Sequence, residues 1–145
     1  MRLVVQRVSE ARVTIAGVVR GQIGAGLLVL AGIAPTDTAA DVQRLARKLV
    51  ALRILADDDG KMNRAVVDTG GGILLISQFT LLADTRKGNR PSYIGAAPPA
   101  LAVPLYEQLI AAVAAALGRP IQTGEFGADM QVSLVNDGPV TIILE

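Results

Sequence analysis

The chain has 145 residues, of which 51% are hydrophobic and 19% charged, and it contains no cysteine and no histidine. These absences exclude disulfides, a thiolate nucleophile, an imidazole base and a histidine-ligated metal site. The formal net charge of +1 is far from the strongly basic balance of proteins that hold nucleic acid over a wide footprint, so any such contact is expected to be local.

The length fits one domain over residues 1–145 with a single core. The composition is apolar for a protein of this size, so some apolar surface is expected to meet another subunit. No run reaches the roughly 18 uninterrupted apolar residues of a membrane span, and Met1–Arg7 alternates like a strand rather than a signal peptide. We therefore expect a cytoplasmic protein.

The N-terminal part of the chain is predicted to form β structure. Short segments rich in valine and isoleucine are typical of strands, and here they are Leu3–Val8, Ala11–Ile15 and Val18–Gln22. Ala16-Gly17 is predicted as the hairpin turn between the last two. The apolar run Leu27–Ile33 is continuous rather than alternating, which indicates a strand buried on both faces.

Two helices are predicted. The first follows the capping candidates Thr36 to Thr38, and its apolar residues recur at helical spacing: Val42, Leu45, Leu49 and Leu52. The second begins near Pro98-Pro99 or at Pro104, which either opens it or kinks it. It ends at Leu117, because Gly118 and Pro120 follow.

Two segments that could suggest a bound ligand are interpreted as turns. Asp57–Gly60 carries three carboxylates but lacks the alternating ligands and later glutamate of a calcium loop, which favours a solvated turn. Gly70–Gly72 leads into the apolar strand Ile73–Ile76 rather than into a helix, which favours a flexible turn over a phosphate loop. No metal or cofactor is expected.

The C-terminal segment leaves two interpretations open. Gln131–Val135 and Val140–Leu144 are predicted as strands on either side of Asn136–Thr141, and Asp-Gly between alternating strands is a strong hairpin signal. A Gly-Pro bond also reaches the cis form at a cost of only about 0.5–1 kcal/mol. A cis Gly138-Pro139 bond would present two main-chain carbonyls as a rigid wedge without side chains.

A buried apolar strand turns abruptly polar at Ser77-Gln78-Phe79-Thr80, which indicates a strand end that faces a cavity or solvent. A structural strand edge is the plain interpretation, because serine and threonine are common there. A hydroxyl nucleophile would need a base, and no imidazole is available. Backbone N–H groups that stabilise an oxyanion would need no titrating side chain.

Three cations lie within five residues on a loop that contains glycine and proline: Arg86, Lys87 and Arg90. Such a loop could hold phosphate through charge-assisted hydrogen bonds, and a plain solvated loop fits the charges nearly as well.

Five segments carry a resemblance over essentially the whole length: MRLVVQRVSEARVTI, GLLVLAGIAP, DDDGKMN, SQFTLLADTRKGNRPSY and GEFGADMQVSLVNDGPVTIILE. In this order they resemble the bacterial-type D-aminoacyl-tRNA deacylases, also called D-tyrosyl-tRNA deacylases. The resemblance implies a single α/β domain with a curved, barrel-like sheet and two main helices, forming a homodimer with active sites at the subunit interface. It implies hydrolysis of D-aminoacyl-tRNA and glycyl-tRNA, with no membrane or DNA partner.

The resemblance also implies roles for individual residues. The pocket around the terminal adenosine and the ester would be lined by Ser77, Gln78, Phe79 and Thr80. Gly138-Pro139 would be a cis wedge that enters the partner's pocket and rejects L-amino acids, with Arg7 holding it in place. The adenosine or wedge region would be bordered by Phe126 and Met130, and tRNA phosphates would meet Arg86, Lys87 and Arg90. Tyr93 stands where the family has phenylalanine.

Two mechanisms and one non-enzymatic alternative follow. Either Thr80 attacks the ester to form an acyl-enzyme, or the pocket positions water while the adenosine 2'-hydroxyl assists and the Phe79 and Thr80 amides stabilise the oxyanion. The absence of a base for Thr80 favours the second mechanism. A non-catalytic RNA-binding module is the alternative, disfavoured by the low charge and the scarcity of aromatic residues.

Overall fold

A computed structural model describes residues 1–145, which form eight strands and two α-helices. Two short 3-10 helices lie at Val66–Asp68 and Phe79–Leu82. The main elements in chain order are β1 Arg2–Ile15, β2 Val18–Ile23, β3 Gly26–Gly32, α1 Ala39–Val50, β4 Leu55–Ala56, β5 Met62–Arg64, β6 Gly72–Ser77, α2 Pro99–Leu117, β7 Gln122–Thr123 and β8 Gln131–Leu144.

The long strand β1 organises the main sheet. Along one edge it pairs with β8, and along the other its first half pairs with β3 and its second half with β2, all antiparallel. Because β2 and β3 both pair along the same edge of β1, the sheet must curve. At the far side β2 approaches β7, since a Cβ placed on Gly21 would lie 2.8 Å from the Thr123 carbonyl oxygen. The sheet is therefore nearly closed and barrel-like, which confirms the predicted fold class.

The structure corrects the predicted division of this first segment. Leu3–Val8 and Ala11–Ile15 are parts of one continuous strand, because β8 pairs across the residues between them with two register shifts. Such shifts insert a residue without ending the strand. The Ala16-Gly17 turn is confirmed, and both of its residues have positive φ, 49° and 78°.

Asn136–Thr141 is not a hairpin turn, and the prediction of two separate strands there is wrong. The segments before and after it belong to the single strand β8, with Leu134 opposite Ala11 and Ile142 opposite Val5. Both flanks pair with β1 in the same direction, so the chain does not reverse. The turn-forming residues are instead accommodated where the register shifts.

The two α-helices match their predicted positions with small differences. The Asp41 carboxylate accepts hydrogen bonds from the Thr38 hydroxyl at 2.9 Å and the Thr38 amide at 3.0 Å, which lowers the pKa of Asp41 and caps α1. Leu52 lies beyond the end of α1 at Val50. Of the two predicted starts for α2, the earlier one is correct, and Pro104 lies inside the helix.

The core has two layers, because alternate residues of the buried strands point to opposite faces. Both helices pack on one face, where the larger cluster includes Leu27, Val29, Leu45, Leu49, Ile73, Leu75, Leu105 and Leu109. The other face carries a smaller cluster of Val8, Ala11, Val13, Leu28, Leu74 and Ile76. α2 is long and apolar enough to cross a membrane by length and composition, but seven of its side chains are buried against the rest of the protein.

Tyr106 ties α2 to the centre of the sheet. Its hydroxyl donates a 2.9 Å hydrogen bond to the Leu75 carbonyl of β6, and burial raises the pKa of Tyr106 to about 12. This hydrogen bond of a buried phenol fixes the position of α2 relative to β6, which apolar packing alone would not do. Its ring also contacts that of Phe126 at a centroid distance of 5.8 Å, which links this anchor to the loop before β8.

The acidic segment is a turn, as interpreted, whereas the glycine segment only bends at Gly70 and runs directly into β6. Asp57–Gly60 connects β4 to β5, and the Asp57 carboxylate accepts the amides of Asp59 and Lys61 at 2.9 Å each. The glycines at 70–72 lead into β6, as predicted. The Arg119 guanidinium holds that segment by donating to the carbonyls of Val66 and Thr69 at 3.1 Å, and to that of Gly71.

β3 and β6 form a parallel pair from Gly26 opposite Gly72 to Ala31 opposite Ser77. At its start the two backbones are very close, because a Cβ on Gly26 would overlap the Gly72 carbonyl oxygen. Glycine in a strand permits this approach of two main chains. The carboxyl ends of both strands therefore meet at one edge of the sheet.

Gly26→Ala is expected to lower the free energy of unfolding by about 1–3 kcal/mol, because the new methyl group meets backbone that cannot rotate away. Urea denaturation followed by circular dichroism measures the change. Gly24→Ala is the matched control, since a Cβ there has no neighbour within 4 Å, and a change within about 0.5 kcal/mol is expected. Equal losses in the two variants would contradict the steric explanation.

Candidate active site

A cavity of about 320 Å³ opens at the carboxyl ends of β3 and β6. Ten of its fourteen lining residues are hydrophobic, and Asp129 is the only titratable one. The lining comes from the two strand ends, the start of α2 and the loop before β8: Ala31, Ile33, Ile76, Ser77, Gln78, Phe79, Ala97, Ala102, Phe126, Gly127, Ala128, Asp129, Met130 and Val132. An apolar cavity with a few polar groups is the usual form of a small-ligand site.

The chain turns sharply where β6 meets the cavity. The Gln78 amide donates a 2.7 Å hydrogen bond to the Ala31 carbonyl, which extends the β3–β6 pairing by one step. The 3-10 helix Phe79–Leu82 then begins. The amides of Phe79 and Thr80 are the first two of this helix, so they have no acceptor inside it. Phe79 lines the cavity and Thr80 follows it directly, and two consecutive N–H donors in such a place are suited to stabilise a developing oxyanion.

The Thr80 hydroxyl is held by an amide and not by a base. The Gln78 side-chain Nε2 donates to Thr80 Oγ1 at 2.5 Å. An amide does not remove a proton at neutral pH, so this contact orients the hydroxyl without activating it. The structure thus brings Ser77, Gln78 and Phe79 to the cavity and attaches Thr80 to them.

Two site features were missed from the sequence. Gly32 ends β3, and a Cβ there would lie 3.1 Å from the Gln78 carbonyl oxygen and would overlap the Leu82 side chain, so glycine allows the 3-10 helix to pack closely. An isolated glycine within a strand was the available signal. Asp129 lies on the loop that carries the predicted residues Phe126 and Met130, and nothing local singles it out.

Gly138 and Pro139 lie outside this cavity. Both are exposed on β8, and the peptide bond between them is cis. Arg7 contacts the residue before them, donating from Nε to the Asp137 carbonyl at 2.7 Å and from its terminal nitrogen to the Ile54 carbonyl at 2.8 Å. Asn136 accepts the Val140 amide at 2.8 Å on the other side. The segment is held on both sides and is exposed at the chain's own surface.

The three predicted phosphate-binding cations are not equivalent. A bridge between Asp84 and Ser92, with N–O distances of 2.8 and 2.9 Å, closes the loop that carries them. Arg86 is paired with Asp84 at 2.5 Å, and its hydrogen bonds lower the pKa of Asp84 to about 2. Lys87 and Arg90 are exposed and form no ion pair within the chain.

Two aromatic rings lie beside this loop. Phe79 and Tyr93 meet edge to face with a centroid distance of 5.2 Å and an interplanar angle of 72°. Phe79 also lines the cavity, so the ring pair stands at its mouth.

A larger cleft of about 440 Å³ lies between β1, β2 and β8, lined by residues that include Glu10, Arg12, Gln22 and Ser133. It holds none of the predicted site residues and does not reach the carboxyl ends of β3 and β6. The smaller cavity is therefore the better candidate, because parallel strands present their ligand sites at those ends.

Solved structures share this fold. The c-Myc DNA Unwinding Element Binding Protein matches with a TM-score of 0.95 at 42% identity, covering 100% of this chain and 98% of that one. A structure described as a probable eukaryotic D-amino acid tRNA deacylase matches with a TM-score of 0.85 at 15% identity, covering 99% and 97%. The second likeness establishes the common fold alone.

Sequence comparison places the chain in a family. It is 59% identical to the D-aminoacyl-tRNA deacylase of Opitutus terrae and 58% identical to that of Akkermansia muciniphila, each over 145 residues that cover 100% of this chain and 97% of the relative. The family described as D-Tyr-tRNA(Tyr) deacylase matches residues 4–145. The chain therefore belongs to the D-Tyr-tRNA(Tyr) deacylase family of hydrolases.

Proposed function

We propose that this protein acts in the cytoplasm and hydrolyses the ester bond between a D-amino acid and the terminal adenosine of tRNA. The observation that carries the proposal is the pair of free amides at Phe79 and Thr80 beside an apolar cavity, in a chain of this family. At about 320 Å³ the cavity has room for the end of an acceptor strand and not for a folded RNA.

Selection of the D-form requires a filter that ignores the side chain. The enzyme must accept many amino acids and reject one configuration at Cα, so the filter must act on groups that all amino acids share. Main-chain carbonyls at Gly138 and Pro139 meet this need, because they can accept hydrogen bonds from the substrate amino group and leave no room for an L side chain. Glycine has no side chain and passes the same filter, so glycyl-tRNA is a second substrate.

The filter and the cavity are joined in a homodimer, in which the wedge of one subunit enters the cavity of its partner. Within one chain the two are separate surfaces, and Arg7 holds the wedge segment through the Asp137 carbonyl. β8 also exposes large apolar side chains, with Val135 50% and Ile143 62% accessible. Apolar surface of this kind on a strand that carries the wedge supports a subunit contact.

The chemistry is assisted by the RNA substrate. Water attacks the carbonyl carbon, the Phe79 and Thr80 amides stabilise the oxyanion, and the bond from the carbonyl carbon to the ribose oxygen breaks. The adenosine 2'-hydroxyl relays the proton from the attacking water to the departing ribose oxygen. Because Thr80 Oγ1 is bound by the Gln78 amide and no base contacts it, an acyl-Thr80 intermediate is the less favoured route.

Nucleic-acid binding without catalysis is the alternative from a different class. The relative named for binding a DNA unwinding element is 42% identical to this chain. The net charge of +1 and the 3% aromatic content do not favour a wide nucleic-acid footprint here. Local phosphate contacts through Arg86, Lys87 and Arg90 agree with both alternatives, so turnover is the measurement that separates them.

The purified protein is expected to release D-tyrosine from D-Tyr-tRNA and glycine from Gly-tRNA. It should spare L-Tyr-tRNA by at least about a hundredfold, because an L side chain clashes with the wedge. Release of the labelled amino acid measures this, and spontaneous hydrolysis without protein is the control. Binding without release would support the non-catalytic alternative, and equal rates on D-Tyr and L-Tyr would contradict the filter.

Thr80→Ala is expected to keep at least about a tenth of the wild-type turnover, since its hydroxyl is not the nucleophile. A tRNA that ends in 2'-deoxyadenosine is expected to lose about a hundredfold or more, the usual scale of a lost acid–base group. Single-turnover kinetics on both substrates measure these effects. An inactive Thr80→Ala variant together with a trapped acyl-Thr80 in the wild type would overturn this mechanism.

Gly138→Ala is expected to reduce D-aminoacyl-tRNA hydrolysis by at least about tenfold. A Cβ there would overlap the Val140 amide nitrogen and lie 2.8 Å from Val140 Cγ2, which displaces the wedge. The site is exposed, so the free energy of unfolding should change far less than activity. Gly70→Ala, where a Cβ has no neighbour within 4 Å, is the control. Unchanged activity in Gly138→Ala would return the segment to a purely structural role.

A further inference from the structure

We propose that Phe79 and Tyr93, with the exposed Ile94 next to Tyr93 in the chain, form an apolar platform on whose two rings the unpaired nucleotides preceding the terminal adenosine of tRNA stack. Lys87 and Arg90 on the adjoining loop contact their phosphates. This inference rests on the proposed function and adds to it a second contact region, outside the cavity. The partner is a single-stranded RNA 3' end.

The platform is unusually exposed for apolar residues in a chain with few aromatics. Within a single chain, Phe79 is 54% accessible, Tyr93 42% and Ile94 89%. The other two aromatic residues are different, because Tyr106 is buried and Phe126 half-buried. Edge-to-face contact between Phe79 and Tyr93 leaves ring surface free on both. Nucleic-acid bases stack on such rings regardless of sequence, because every base has a π-face.

The position of the platform fits a strand that leaves the cavity. Phe79 belongs to both the cavity and the platform, since it lines the cavity and is itself exposed. The Asp84–Ser92 bridge returns the chain to the 3-10 helix, so that Tyr93 lies against Phe79. The cavity volume of about 320 Å³ admits the terminal group only. The preceding nucleotides must therefore cross the protein surface, and the platform begins at the cavity with Phe79.

The charge beside the platform matches a phosphate chain. The loop closed by Asp84 and Ser92 carries three cations and one carboxylate, although the whole chain has a net charge of only +1. Arg86 is neutralised by Asp84, which leaves Lys87 and Arg90 as unpaired, exposed cations. Positive charge next to a stacking surface is the combination found in single-strand binding sites, and a second protein chain would not require it.

The test uses the full-length protein and variants at Tyr93 in two assays. The first is fluorescence anisotropy with a labelled, uncharged RNA that ends in the single-stranded tRNA 3' sequence. Tyr93→Ala is expected to weaken binding by at least about fivefold, and Tyr93→Phe, which keeps the ring, is expected to bind like the wild type. Equal binding by wild type and Tyr93→Ala would overturn the proposal.

The second assay compares KM for D-Tyr-tRNA with KM for D-tyrosyl-adenosine, which lacks the preceding nucleotides. In Tyr93→Ala the KM for D-Tyr-tRNA should rise by at least about fivefold relative to that for D-tyrosyl-adenosine. Equal increases for both substrates would contradict a contact beyond the terminal nucleoside. A changed oligomeric state of Tyr93→Ala in sedimentation experiments would identify a protein–protein surface instead. If the wild type hydrolyses neither substrate, the proposed function fails while the anisotropy result still decides the platform.

Charge variants give an independent check. The double variant Lys87→Gln, Arg90→Gln should reduce the salt dependence of RNA binding by about one unit of the log–log slope or more. The double variant Arg47→Gln, Lys48→Gln is the matched control, because it removes two exposed cations of α1 that form no ion pair, and it should leave the slope unchanged. Equal slopes for these two double variants would contradict phosphate contacts at this loop.

Discussion

The parallel pairing of β3 with β6 is the constraint on which the candidate site depends. The pairing begins where the Gly26 and Gly72 backbones nearly touch. Beyond Ser77, the last residue of β6, it continues with the hydrogen bond from the Gln78 amide to the Ala31 carbonyl. Both strands are buried between two apolar layers, so neither can shift along the other without exposing core side chains. The 3-10 helix that follows is therefore built on a buried, closely packed pair of strands, which makes its start rigid.

This rigidity matters because the chain has little side-chain chemistry. It contains no histidine or cysteine, and Asp129 is the only titratable residue that lines the cavity. The end of β6 offers main-chain groups instead, the amides of Phe79 and Thr80. The proposed wedge likewise offers the main-chain carbonyls of Gly138 and Pro139. Main-chain groups stabilise charge only when they are already in place, since they cannot reorient as a side chain does. A buried parallel pair and a segment anchored by Arg7 and Asn136 satisfy that condition.

Local sequence patterns correctly predicted those helices, strands and turns whose type does not depend on the segments they pack against. The periodicity of α1, the continuous apolar runs of β3 and β6, and the Ala16-Gly17 hairpin are properties of the segments themselves. The hairpin prediction at Asn136–Thr141 was wrong for a different reason. A turn signal specifies local dihedral preferences, but whether the chain reverses or bulges depends on which strand the flanks pair with, and here both pair with β1.

The site was predicted less by local pattern than by resemblance, and the remaining features are three-dimensional. Nothing in the spacing of the sequence places Met130 beside Ser77 or pairs Arg86 with Asp84 while leaving Lys87 free. The separation of the cavity from Gly138-Pro139 is also invisible in sequence, and it has a consequence for the proposed enzyme. If the filter belongs to one subunit and the oxyanion amides to another, neither surface alone discriminates and hydrolyses. Dimer formation then couples selection to chemistry, and an isolated subunit leaves the cavity without its filter.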